Sequence, residues 1–98
     1  MIVVRDIFQL HFGKARDAKA AMKDALPLMA KAGAVNARLL TDVTGPYYTL
    51  VLEANHADLA AWQTFEKKGL AMTEWQEIYK RFVPLVQSGR REIFSVVD

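Results

Sequence analysis

Few side chains in this sequence are able to do chemistry. His11 and His56 are its two histidines, and it has no cysteine. The missing cysteine removes thiolate nucleophiles, disulfides, Fe–S clusters and cysteine-ligated zinc. The histidines are far apart and lack ligand spacing, so no metal site is expected. As a general base or haem ligand, His11 would need a lined cavity and an orienting partner. Its simpler reading is a polar residue near the end of a strand. His56 reads most simply as a residue at the start of a helix. A third candidate is Asp6, beside Arg5 in "VVRDIFQLHF" (3–12). It is either a carboxylate that reaches solvent through a local bulge, or a buried acid in a ligand pocket. No Gly-rich phosphate loop, nucleophile elbow or usefully spaced acid pair appears.

These groups must be carried by some framework. Residues 2–12 read as a strand rich in Ile, Val and Phe, ended by Gly13. Residues 14–32 read as a helix, with Ala15, Ala18, Met22, Leu26 and Met29 at three- and four-residue steps. Pro27 should kink it or end its first part. Residues 34–43 and 47–54 form a hairpin around the turn "TGP" (44–46). Asn55 caps a second helix, which "KKG" (67–69) breaks. Thr73 and Gln76 have capping-box spacing for a further segment that Gly89 ends. Residues 90–97 are the last strand. The order β-α-β-β-α-β is that of a ferredoxin-like α+β domain spanning residues 1–98, with four antiparallel strands, helices on one face and the second helix broken near Gly69.

Strand alternation then sorts the residues. One face is apolar enough to lie under the helices, although Asp6 falls on it. The other carries Ile7, Leu40, Val51 and Ile93 near the strand centres, with Arg5, Arg38, Glu53 and Arg91 towards its edges. An apolar centre with a charged rim predicts an interface, so the expected partner is a second copy of the chain. Arg5 is expected opposite Glu53.

Trp62, Phe65, Trp75, Tyr79 and Phe82 form an aromatic stripe along the second helical region. Most of it should be core, with Trp75 the better core candidate and Trp62 bordering a cleft at the break. Arg38, Tyr47 and Tyr48 would add polar groups, and with Trp62, Phe65 and Trp75 they are the expected contacts of a small apolar or aromatic ligand. A net charge of +2, with bases scattered among acids, is no nucleic-acid footprint. The first and third strands also lack the aromatics of an RNA-recognition sheet. No apolar run nears the ~18 residues of a membrane helix, and the N-terminus is unlike a signal peptide. A cytoplasmic location is expected.

The element order, together with "MTEWQEIYKRFVPLVQSGRREIF" (72–94), resembles NIPSNAP-like members of the dimeric α+β barrel superfamily. The resemblance covers the whole chain in topology and is specific in the Trp75 helix and in Gly89-Arg90-Arg91. It implies a homodimer whose two sheets meet face to face. It also implies a choice among cofactor-free monooxygenases, haem-degrading enzymes, isomerases and proteins without known activity. No cofactor is expected. Haem stays open, although Asn36, Trp62, Trp75 and His56 do not match the haem-degrading pattern position by position. Activity is therefore left between a binding protein, a cofactor-independent monooxygenase or isomerase, and a structural or interaction protein.

Overall fold

A computed structural model describes residues 1–98. The elements follow in the order β1 (Ile2–Leu10), α1 (Ala15–Lys31), β2 (Val35–Thr41), β3 (Thr49–His56), α2 (Leu59–Ala71), α3 (Thr73–Phe82) and β4 (Val86–Ser95), with a single 3₁₀ turn at Val83–Leu85 before β4. The four strands form one antiparallel sheet in the order β2-β3-β1-β4. This is the ferredoxin-like α+β fold, with β1 and β3 in the middle and all helices on one face. No helix is long and apolar enough to cross a membrane.

The core forms where α1 and α3 press on the sheet. Ala18, Ala21, Met22, Ala25 and Met29 are the buried face of α1, and the small alanines let the helix approach Leu50, Leu52 and Ala54 of β3 closely. Ile78 and Phe82 are the buried face of α3, and the Phe82 ring meets Phe8 edge-on at 4.8 Å. Pro27 does not divide α1. The helix runs through it on its exposed side to Lys31, so Leu28 and Met29 stay in helical register.

Several boundaries differ from the sequence reading, each for a local reason. β1 stops at Leu10, so His11 and Phe12 lie in the following turn. β3 extends to His56, and Asn55 is paired in the sheet rather than capping a helix. The cap of α2 is Asp58, whose carboxylate accepts the Ala61 N–H at 2.8 Å. α2 passes through Gly69, and the break falls at Met72, which is extended at ψ 124°. Thr73 and Gln76 form no capping box. Gln76 instead donates its side-chain amide to the Leu70 carbonyl at 3.1 Å, tying the two helices across the break.

β4 begins at Val86, so Gly89 is a strand residue opposite Phe8. A β-carbon there would lie 3.1 Å from Phe8 Cδ1, a close approach that glycine leaves free. The register also reverses the expected faces of β4. Ile93 lies across from Val4 and Arg91 across from Asp6, on the helix side, while Phe94 pairs with Val3 on the open side. A second shift comes from a bulge between Val35 and Arg38, where Asn36 takes a left-handed φ of 53°. The bulge turns Val35 to the open face together with Arg38 and Leu40.

Candidate functional site

β1 carries a charge on each face. On the open face Arg5 lies between Glu53 and Glu92, and Glu53 between Arg5 and Arg38, so four charges run across the sheet in the order Arg38, Glu53, Arg5, Glu92. This row crosses the body of the sheet and is not a rim. The Glu53 side chain is only 5% exposed. It accepts from Arg5 Nε at 2.8 Å, as expected from the pairing, and from Arg38 Nε at 2.7 Å. Burial, the largest single influence, raises its pKa, but the two guanidiniums together outweigh burial and hold the carboxyl below its usual value.

On the helix face, Leu52, Asp6 and Arg91 lie side by side across β3, β1 and β4. β1 pairs regularly at Asp6, so there is no bulge to carry it to solvent. Asp6 Oδ1 instead accepts from Arg91 Nε at 2.6 Å. The Arg91 guanidinium also lies 5.1 Å from the Trp62 ring centre and 3.8 Å from Glu66 Oε1, both on α2. The Asp6 hydrogen bond, the strongest of these influences, pushes the Arg91 pKa above its ordinary value.

Above this row is a cavity of about 540 Å³. Its floor is Asp6, Leu52 and Arg91. Its walls come from the C-terminal end of α1 (Leu28, Met29), the second half of α2 (Phe65, Glu66) and one side of α3 (Trp75, Tyr79). The break at Met72 lies at its edge, where Gly69, Leu70 and Met72 complete the lining. α2 itself has no buried residue.

The predicted site residues divide around this cavity. Asp6, Phe65 and Trp75 line it. Trp75 is therefore a wall of the cavity rather than sealed core, and Trp62 lies beside it over Arg91, reversing the expected roles of the two indoles. Arg38 is on the opposite side of the sheet with Glu53. Tyr47 and Tyr48 are at the β2–β3 hairpin against Phe12, with ring centres at 6.0 and 5.0 Å from it. These three do not contribute to the cavity. Of the expected interface residues, Ile7, Leu40 and Val51 form one row on the open face, whereas Ile93 is on the helix face.

Neither histidine lines the cavity. His11 is exposed, and its carbonyl accepts the Lys14 N–H in the turn. His56 is not at a helix start. It ends β3, 3% exposed, with its ring centre 4.8 Å from that of Phe65, and burial pushes its pKa down.

Sequence reasoning missed Arg91 as the partner of Asp6. The signal was present: a carboxylate on the core face needs a cation, and the neighbouring strand of the same sheet carries Arg90-Arg91.

The fold has close counterparts among solved structures. A NIPSNAP family protein from Agrobacterium tumefaciens superposes with a TM-score of 0.89 at 20% identity, over 99% of this chain and 93% of that one. The fold is that of the NIPSNAP proteins. A NIPSNAP-like domain protein from Burkholderia xenovorans matches at 0.80 with 25% identity over 98% of this chain and 84% of its own. A protein described as a putative antibiotic biosynthesis monooxygenase from Nitrosomonas europaea matches at 0.82 with 10% identity over 100% of both chains. No family model and no curated protein matches the sequence.

Proposed function

We propose that this chain is a small-molecule binding protein that holds an apolar or aromatic ligand between helices and sheet, and that it works as a cytoplasmic homodimer. The observation that carries the ligand reading is the cavity. Its volume of about 540 Å³ falls among ordinary small-molecule sites, and aromatic and aliphatic side chains dominate its wall. A few polar groups, grouped at Asp6 and Arg91, would fix the orientation of a bound molecule.

The dimer reading rests on the open face. Val3, Ile7, Val35, Leu40, Val51 and Phe94 all point there, with Val35 49%, Leu40 40% and Phe94 47% exposed. The charges on this face already partner one another through Glu53, which lowers the cost of covering them. Two such faces meeting would also match the assembly that the NIPSNAP resemblance implies.

Intrinsic tryptophan fluorescence tests the ligand reading, because Trp75 lines the cavity. Titration of small aromatic compounds is expected to give a saturable change that Trp75→Phe abolishes while the variant stays folded. No saturable response across a broad compound set would refute it. Light scattering at micromolar concentration tests the dimer. Leu40→Arg is expected to dissociate it, and a monomeric wild type would end the proposal. Native mass spectrometry with an absorption spectrum would reveal any haem or flavin.

The second reading is a cofactor-independent monooxygenase or isomerase. Asp6 supports it as the carboxylate at the cavity floor, placed to take a proton from a bound substrate. Oxygen uptake or isomer formation lost in Asp6→Asn, with ligand binding retained, would establish it.

A further inference from the structure

The polar end of the cavity has an unusual balance of charge and hydrogen bonding. Arg91 spends only its Nε–H on the chain, to Asp6 Oδ1. Its terminal nitrogens make no hydrogen bond, and the nearest further carboxylate oxygen, of Glu66, is 3.8 Å away. Asp6 gives only Oδ1 to Arg91, leaving Oδ2 without a donor. Asp6 and Arg91 both line the cavity, so these unused donors and this unused acceptor are available to whatever fills it. Of the other polar residues of the lining, Gln76 donates to the Leu70 carbonyl, and Lys80, whose ammonium is 3.7 Å from Glu77, adds a positive charge that balances the negative charge of Glu66.

A ligand that enters thus meets a donor and an acceptor side by side on a pair whose charges cancel. A carboxylate would gain Arg91 but face Asp6 and Glu66. A cation would gain the two carboxylates but face the Arg91 guanidinium and the Lys80 ammonium, so the lining as a whole favours neither sign. A neutral group with an acceptor next to a donor meets neither repulsion. Its oxygen would accept from a terminal N–H of Arg91, and its N–H would donate to Asp6 Oδ2. We infer that the Asp6–Arg91 pair makes this cavity selective for neutral aromatic molecules with an amide-like edge, a hydrogen-bond acceptor adjacent to a donor. The aromatic body would lie against Phe65 and Trp75. This inference rests on the cavity being a ligand site, as proposed above.

Three nearly isosteric probes test it by calorimetry: 2-naphthamide, 2-naphthoate and 2-naphthamidine, with 2-ethylnaphthalene as the apolar control. The amide is expected to bind about tenfold or more tightly than each of the others. In Asp6→Asn the preference should move towards naphthoate, and in Arg91→Met towards naphthamidine. A merely structural role for the pair would weaken all probes alike. Equal or tighter wild-type binding of either ion than of the amide would overturn the inference. So would equal binding of all four, although the ligand site itself would then stand. Binding of none would overturn the ligand site with it. The wild-type ranking decides the matter even if a variant fails to fold.

Discussion

Replacing Arg91 by methionine keeps most of the apolar stem and removes the guanidinium that joins β4, β1 and α2. Its hydrogen bond to Asp6, at 2.6 Å, is charge-assisted. Bonds of that kind contribute about 1.5–3 kcal/mol when shielded. Here the Arg91 side chain is 43% exposed and that of Asp6 21%, so solvent screens the pair. The low end of the range, about 1.5 kcal/mol, is appropriate. Stacking on Trp62 adds about 0.5 kcal/mol at a half-exposed site, and Glu66 at 3.8 Å adds a few tenths at most. Arg91→Met should therefore cost about 2 kcal/mol, or roughly 10 °C in Tm for a domain of this size. Urea denaturation at fixed protein concentration measures the loss. Asp6→Asn and the double variant complete a cycle, with an expected coupling of about 1 kcal/mol between the two positions. Strict additivity, within about 0.3 kcal/mol, would refute the claim that Arg91 holds Asp6.

His56 has a folded pKa below its unfolded value because it is buried, so its contribution to stability is complete above that unfolded value of 6.5 and declines as pH falls through it. His56→Gln should flatten the stability curve in that window and leave a further acid loss below 4.5, where Glu53, lowered in the folded state, takes up its proton. Gly89→Ala brings a methyl to 3.1 Å from the Phe8 ring, and thermal melts should show a loss of about 1–2 kcal/mol from the crowding. Hydrogen exchange should be faster in α2, which buries no residue, than in α1. Arg91→Met should accelerate α2 further while leaving α1 unchanged.

The element order was legible because each element announces itself locally. Alternating Val, Ile and Phe mark the strands, three- and four-residue apolar steps mark α1 and α3, and Gly13 and Gly33 bracket α1. The face assignments were less legible, because they depend on counting from the right residue. A strand whose start is misjudged still alternates, and "RREIFSVV" is apolar on both faces. Only the pairing of Gly89 with Phe8 shows that Arg91 and Ile93 face the helices. The bulge at Asn36 was hidden for the same reason, since one extra residue leaves the composition of β2 unchanged while it turns Val35 over. The cavity was half legible. The second helix was expected to break, and the break does lie at the edge of the cavity. Its position at Met72 instead of Gly69 decides that Trp75, not Trp62, becomes the wall.

The neighbours Arg5 and Asp6 answer to two different environments although they share a peptide bond. Alternation along β1 sends Arg5 to Glu53 on the open face and Asp6 to Arg91 under the helices. Each charge is matched on its own side of the sheet, so neither needs the other. Both networks are anchored to the same central strand and extend outward from it, through Glu53 to β2 and through Arg91 to β4 and α2. A ligand that draws on the free oxygen of Asp6 pulls on a strand whose next residue holds Glu53 and Arg38 in place on the opposite surface. If that surface is the dimer interface, the cavity and the interface are separated by the thickness of one sheet and joined by one peptide unit. Occupancy of the cavity and dimer affinity should then be linked, and linkage of that kind is reciprocal. The dimer dissociation constant measured with and without a bound aromatic probe would show it, and identical constants would mean that β1 insulates its two faces.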